Sequence, residues 1–192
     1  MWRHHGTSVV GVFSGDRNTT GITGICPDAN VRAISQFPLS QDWGPARAIR
    51  LAADLLSAGD IILIELQSAG PRFNFAIRDD QRGYIPIEWF PDNLAAIQYA
   101  VSRGIIVIEA AANGEENLDD PIYDVNPAAP TGSFPATWRN PFRRSPFDSG
   151  AILVGAGAPP SGTHGRDHGI DRSRLSFQIM AQWLTRKDGE RK

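Results

Sequence analysis

The stretch IIVIEAAAN, residues 105–113, decides the fold class of this chain. It opens with apolar, mostly β-branched residues and directly follows a helical pattern, DNLAAIQYAVSRG, at residues 92–104. A strand that follows a helix and is apolar at successive positions is typical of a parallel sheet with both faces buried. We therefore predict a buried parallel strand, preceded by a helix with Asp92 or Asn93 as its N-cap and Gly104 as its stop.

The same pattern occurs on both sides of this stretch. IILIEL at residues 61–66 follows the helical pattern ARAIRLAADLLSAGD at residues 46–60, which Gly59 is expected to end. AILVGAG at residues 151–157 is a third predicted buried strand, and VRAISQF at residues 31–37 is a further predicted strand. Alternating strands and helices indicate an α/β domain built from βαβ units, in which functional side chains lie beyond the carboxyl ends of the strands.

Three other segments complete this predicted organisation. Residues 67–92 are irregular and mixed in charge, which predicts a long surface loop or a hairpin insertion. Residues 117–149 are rich in Pro and Asn and are expected to be largely loop. Near the start of the chain, a helix beginning close to His5 would have an apolar face formed by Val9, Val10, Val12 and Phe13.

Composition excludes several classes of function. The 192 residues carry 19 Lys and Arg against 21 Asp and Glu, so no overall positive field attracts nucleic acid or an acidic membrane. No run approaches the roughly 18 apolar residues of a membrane span. The chain has a single cysteine, Cys26, which cannot form an internal disulfide and is expected to be a small buried residue. The first residues show no signal peptide, and the compartment stays open.

Four motifs occur in the order in which one enzyme family has them. HGTSVVG at residues 5–11 matches five of the six specified positions of the pattern H-G-T-x-V-A-G, with Val10 in place of a small residue. The other three are GITGICPDANVRAISQF (21–37), AVSRGIIVIEAAANGEEN (100–117) and AILVGAGA (151–158). Over about residues 2–177 the chain resembles the subtilisin-like serine peptidases. The resemblance implies an incomplete three-layer α/β fold around a parallel sheet. Members of this family are often secreted.

The resemblance also assigns roles to two residues. His5 occupies the place of the general base, and imidazole suits that role because it accepts and returns a proton near neutral pH. Asn113 occupies the place of the side chain that donates to the oxyanion formed on the scissile carbonyl. The family has Gly immediately before this Asn, where the chain has Ala112. If that position requires a positive φ, Ala112 strains the turn.

The family's aspartate and nucleophilic serine have no counterpart in these 192 residues. The only Gly-Thr-Ser, residues 6–8, belongs to the histidine motif, so Ser8 is not the expected nucleophile. RSRLSF at residues 172–177 begins a later family segment, and residues 178–192 do not continue it. We therefore expect a partial peptidase domain over residues 1–177 and an unrelated polar tail over residues 178–192, either frameshifted or disordered.

The expected function is that of a fragment of a serine-type endopeptidase that is inactive by itself. It would act on a peptide or protein substrate, with neither nucleic acid nor membrane as a partner. The oligomeric state is open. One alternative is a non-catalytic peptide-binding or regulatory remnant. The other is an unrelated doubly wound α/β binding module, in which His5 and Asn113 would lie far apart. No cofactor is predicted, although the resemblance allows for bound calcium, for which the sequence identifies no ligands.

Two acids interrupt the apolar strands, and each has two open interpretations. Glu65 and Glu109 correspond to strand ends that line the first specificity pocket in the family. There they would favour Arg or Lys beside the cleaved bond. Alternatively, each carboxylate is satisfied inside the fold by an arginine such as Arg32 or Arg103, or by backbone N–H groups.

Overall fold

The computed structural model describes residues 2–35, 44–127, 134–144 and 147–156. The chain divides into two compact units, Met1–Ser35 and Gln36–Lys192. The predicted boundary between a peptidase domain and a polar tail at residue 177 lies outside the described residues and stays a prediction.

The first unit is one helix followed by a loop that runs back along it. Helix α1 spans Trp2–Ser14, which confirms the predicted helix at His5 and extends its start. The N–H of Ile25 donates to Val12 O at 3.1 Å, and that of Gly24 donates to Gly15 O at 2.9 Å. The loop passes so close that a Cβ on Gly15 would lie 2.9 Å from the backbone oxygen of Ile22 in the loop, and 2.7 Å from that of Gly11 in α1. Glycine is therefore required at this crossing.

Two predictions for the first unit are wrong. Residues 31–35 form no strand and are exposed, and residues 36–37 lie outside the described part. An apolar pattern forms a strand only beside a hydrogen-bonding partner, and the parallel sheet in the described residues consists of residues 61–64, 106–110 and 152–154. Cys26 is exposed rather than buried, because it lies on the returning loop.

The second unit contains two helices that each begin at a proline. Helix α2 spans Pro45–Leu55, and helix α3 spans Pro91–Ser102. Proline suits the first helical position because its ring fixes φ and its missing N–H needs no acceptor. Helix α3 therefore has Phe90 as its N-cap, and the predicted caps, Asp92 and Asn93, lie inside its first turn.

The predicted ends of the two helices have different outcomes. Gly104 follows α3 with φ +80°, and its N–H donates to Val101 O at 2.9 Å, so this stop is confirmed. Gly59 does not end α2, which stops at Leu55. Gly59 instead turns the chain into the first strand, and its N–H donates to Gly104 O at 2.8 Å.

A parallel sheet of three strands is the centre of the second unit. Strands β1 (Ile61–Ile64), β4 (Ile106–Ala110) and β5 (Ile152–Val154) lie in the order β1-β4-β5. The register pairs Ile64 with Glu109 and Ile108 with Ile152. The α/β class and the parallel sheet are thus confirmed, and the carboxyl ends of β1 and β4 lie side by side.

The sheet is covered on one face among the described residues of this unit. Apolar side chains of α2 and α3 pack with Ile62, Ile64 and Val107 into one core. The alternate residues face away from that core and are 41–57% exposed: Ile61, Leu63, Ile106, Ile152 and Val154. The expectation that these strands are buried on both faces is therefore wrong for the described part of the chain.

The segment between β1 and α3 is the predicted hairpin insertion. Its strands β2 (Ser68–Ala69) and β3 (Tyr84–Ile85) pair antiparallel, and short 3-10 helices lie at Pro71–Phe73 and Ile87–Trp89. The described parts of residues 117–149 are loop with two short 3-10 helices, as expected. These segments enclose a second core that includes Trp89, Tyr123, Trp138 and Phe142.

Candidate active site

His5 lies on the first turn of α1 and is exposed. Ser8, one turn further along, donates its hydroxyl to the backbone oxygen of His4 at 2.9 Å. This bond is the common use of a serine inside a helix. The expectation that Ser8 belongs to the histidine motif, and is not the nucleophile, stays a prediction.

Asn113 lies in the second unit, three residues beyond the end of β4. The preceding residue, Ala112, has φ +69°. This left-handed conformation favours glycine, because the Cβ of any other residue crowds the backbone there. The position does require a positive φ, so the turn that presents Asn113 is strained by the alanine.

Three side-chain amides meet at this turn. The backbone N–H of Asn113 donates to Gln67 Oε1 at 2.8 Å, and Gln67 Nε2 donates to Gln81 Oε1 at 2.9 Å. The same oxygen of Gln81 accepts a hydrogen bond from Asn113 Nδ2 at 3.0 Å. Gln67 and Gln81 are half-buried, whereas Asn113 is exposed. We call these three residues the amide ring.

The loop that carries Gln81 is held tightly against the turn after β4. Gly83 donates its N–H to Gly114 O at 3.0 Å, and Arg82 forms an ion pair with Glu115 at 3.3 Å. A Cβ on Gly114 would lie 2.5 Å from the backbone nitrogen of Tyr84, so only glycine allows this approach. The two segments are therefore fixed relative to one another by backbone as well as side-chain contacts.

The two predicted pocket acids have different surroundings. Glu65 is exposed and follows β1 immediately. Glu109 has no exposed surface, and its Oε1 accepts the backbone N–H of Glu88 at 3.1 Å. Its Oε2 has no hydrogen-bond partner among the described residues. The burial of Glu109 and its bond from a backbone N–H thus favour the interpretation in which the carboxyl is satisfied inside the fold.

Glu109 belongs to a buried pair of acids. Burial, and then the charge of Glu88, raise the pKa of Glu109 well above its usual value, against the N–H groups of Glu88 and Ile87, which lower it. Burial raises the pKa of Glu88 to about 7, although the hydroxyl of Ser149, which donates to Glu88 Oε2, lowers it. At neutral pH the pair therefore holds a proton.

Sequence reasoning missed Gln67, Gln81 and the acid Glu88. Gln67 carried a usable signal, because it follows β1 at the carboxyl edge of the sheet, where functional side chains are expected. Gln81 and Glu88 lie within a hairpin insertion whose path the sequence does not specify. His5 lies in the first unit and Asn113 in the second.

A calcium site needs several oxygen ligands close together. Among the described residues, no group of three or more His, Cys, Asp or Glu side chains is placed to hold a metal ion. The calcium that the resemblance allows for has no fitting ligand set in that part of the chain.

Comparison with protein-family models tests the resemblance that the four motifs indicated. The family model described as the subtilase family, Peptidase_S8, matches residues 1–164. That match covers most of the 192 residues. The chain belongs to the subtilase family. No curated protein sequence and no solved structure shows significant similarity to the chain.

Membership of the subtilases settles the coarse class of function. Subtilases are serine-type peptidases, so peptides or proteins are the class of substrate. It also removes the alternative in which the likeness to subtilisin is accidental. None of the described helices is long and apolar enough to cross a membrane.

Proposed function

We propose that this chain supplies the general base and the oxyanion donor of a subtilase active site, and that it does not hydrolyse peptides by itself. The observation that carries the proposal is the turn after β4. There Asn113 is exposed at the carboxyl edge of a parallel sheet and follows a residue with φ +69°. A strained turn that presents a hydrogen-bond donor is typical of a functional site.

The role of each group follows from the chemistry of acyl transfer. A serine hydroxyl attacks the scissile carbonyl after a base takes its proton, and His5 would hold that proton until the leaving amine accepts it. Negative charge then develops on the carbonyl oxygen. Nδ2 of Asn113 would donate to this oxygen, and such a donor is worth more in the transition state than in the ground state.

Inactivity of the chain follows from the groups that the 192 residues do not contain. No Gly-Thr-Ser motif other than residues 6–8 is present, so the chain has no serine in the family's nucleophile motif. Without a nucleophile and an orienting aspartate, the remaining groups give only the residual catalysis of a binding site.

Glu65 supports a narrower proposal about specificity. Its exposed carboxylate at the end of β1, beside the turn of Asn113, would favour Arg or Lys next to the cleaved bond. Glu109, which has no exposed surface, does not carry this part of the proposal. The measurement is the cleavage of a peptide library by this chain once it is joined to subtilase segments that bear the aspartate and the serine. Cleavage without a preference for Arg or Lys would argue against a specificity pocket at Glu65.

The test joins this chain, in one polypeptide, to subtilase segments that bear the aspartate and the serine. We expect His5→Ala to lower kcat more than Asn113→Ala, which should lower it by about 10²- to 10³-fold, the range known for subtilisin itself. His4→Ala is the matched control and should leave kcat unchanged, since His4 is also exposed on α1. Equal effects of the two histidine substitutions would refute the assignment of His5.

A further inference from the structure

The amide ring settles a choice that the shape of Asn113 leaves open. A carboxamide has an oxygen that only accepts and an NH₂ group that only donates, and the two are nearly equal in size. Turning the group over changes its hydrogen bonding and almost nothing else. An oxyanion is stabilised only if the NH₂ group, and not the oxygen, occupies the position beside it.

One donor in the ring has a fixed direction. The backbone N–H of Asn113 can only donate, and it donates to Gln67 Oε1 at 2.8 Å. Because Gln67 uses its oxygen there, its Nε2 is the end that reaches Gln81, where it donates to Oε1 at 2.9 Å. Gln81 must therefore present its oxygen to this side of the ring.

The same oxygen then orients the carboxamide of Asn113. Gln81 Oε1 accepts Asn113 Nδ2 at 3.0 Å, whereas the oxygen of a reversed Asn113 would face another oxygen. One hydrogen of the NH₂ group makes this bond, and the second is left for a substrate. The backbone N–H of Asn113 thus determines, through Gln67 and Gln81, which end of the Asn113 carboxamide faces the ring.

The backbone around the ring is built to keep this arrangement. Three non-glycine residues here have a left-handed backbone: Gln81 in the ring itself, with φ +58°, and Ala112 and Glu115 close to Asn113, with φ +69° and +58°. Such residues persist only where surrounding contacts hold them. Those contacts are the backbone bond from Gly83 to Gly114 and the Arg82–Glu115 ion pair.

We propose that Gln67 and Gln81 are positioning residues that fix the NH₂ group of Asn113 in the orientation required of an oxyanion donor. The inference deepens the proposed function and rests on it for the role of Asn113. The hydrogen bonds themselves are testable in this chain without catalysis. The absence of these hydrogen bonds would therefore be distinguishable from the absence of a catalytic role for Asn113.

The first measurement uses the unaltered chain labelled with ¹⁵N. Asn113 is exposed, so its backbone amide should exchange with solvent rapidly unless Gln67 accepts it. We expect exchange roughly five- to tenfold slower than in a chain with Gln67→Leu. Equal exchange rates in the two proteins would overturn the ring, and so would an Asn113 amide that exchanges at the rate of an unstructured peptide.

The second measurement compares two substitutions of equal size and charge. Gln81→Glu keeps an acceptor for both donors, so the side-chain NH₂ signal of Asn113, assigned by its loss in Asn113→Asp, should keep its hydrogen-bonded position. Gln67→Glu still accepts the backbone N–H of Asn113 but cannot donate to Gln81. Gln81 should then turn over and take Asn113 with it, so only the side-chain signal shifts and the backbone protection remains.

A purely structural role predicts a different pattern. If the two glutamines only fill space, the two glutamate variants shift the Asn113 side-chain signal alike, and that result would overturn the proposal. If a glutamate variant fails to fold, the proposal is tested by the exchange rate of the Asn113 backbone amide in the unaltered chain and in Gln67→Leu. Folding is checked by the backbone signals of α3.

Discussion

Ala112 has a backbone conformation that is unfavourable for alanine. It has φ +69° and is buried, with 8% of its surface exposed. An alanine in this conformation costs roughly 1–2 kcal/mol, and the surrounding turn holds it there. The site therefore contains stored strain next to the proposed oxyanion donor.

We expect Ala112→Gly to stabilise the chain by about 0.5–1 kcal/mol, because glycine adopts a positive φ at no steric cost. The free energy of unfolding, measured by urea titration, is the readout. Its neighbour Ala111, also buried, has no positive φ and provides the control. Ala111→Gly should destabilise, and stabilisation by both substitutions would contradict the strain argument.

The buried acids Glu88 and Glu109 predict how stability changes with pH. Their pKa values are raised in the folded chain, so the folded state binds protons more tightly than the unfolded state. The contribution of this pair to stability is therefore greatest below the usual pKa of about 4.5, and it is lost as pH rises through about 7, the pKa of Glu88.

Glu109→Gln should remove much of this dependence. At pH 8 the variant should be more stable than the original chain by roughly 1–3 kcal/mol, since a neutral amide replaces an unpaired buried carboxylate. Urea titrations between pH 4.5 and 8 provide the measurement. Ile77→Val, a change at an exposed residue without an ionisable group, is the control and should leave the pH profile as it was.

The contact between the hairpin insertion and the turn after β4 matters at the scale of elements. It brings Gln81 to Asn113, although the two are 32 residues apart in the chain. Gly114 allows the approach because a Cβ there would meet the backbone of Tyr84. The geometry of the candidate site therefore depends on an insertion as well as on the sheet.

Gly114→Ala should force these two segments apart. We expect a loss of about 1–3 kcal/mol in the free energy of unfolding, the usual cost of overpacking. The Asn113 side-chain signal should also shift. Gly44→Ala is the matched control, because a Cβ there meets nothing within 4 Å and Gly44 is extended, with φ −166°. Equal losses at both positions would contradict the close approach.

At the scale of the whole molecule, the outer face of the sheet is apolar and exposed. Five exposed side chains lie on this face: Ile61, Leu63, Ile106, Ile152 and Val154. The half-buried Ile108 lies between them, paired with Leu63 on one side and Ile152 on the other. Exposed apolar patches of this kind promote association. The chain by itself should therefore self-associate as its concentration rises.

Ile106→Thr should reduce self-association, measured by sedimentation velocity, and change stability by less than about 0.5 kcal/mol. The adjacent Val107 faces the helices and is 1% exposed, against 44% for Ile106. Val107→Thr should cost about 1–3 kcal/mol, because it buries a hydroxyl. Similar destabilisation by both would show that the outer face is covered.

The sequence predicted the features that depend on local pattern. Gly104 ends α3 as expected, and the hydrophobic runs at β1, β4 and β5 form the parallel sheet. It did not predict the outer face of that sheet, because apolar strands look the same whether or not a second layer covers them. The amide ring and the Glu88–Glu109 pair were also missed, since both arise from contacts between distant segments.

The central claim is that this subtilase chain carries a base and an oxyanion donor but no nucleophile. The most direct test is labelling of the purified chain by a serine-directed fluorophosphonate probe, followed by peptide mapping. We predict no labelling above that of a Ser8→Ala variant. Specific labelling of any serine in the chain, abolished by His5→Ala, would contradict the account.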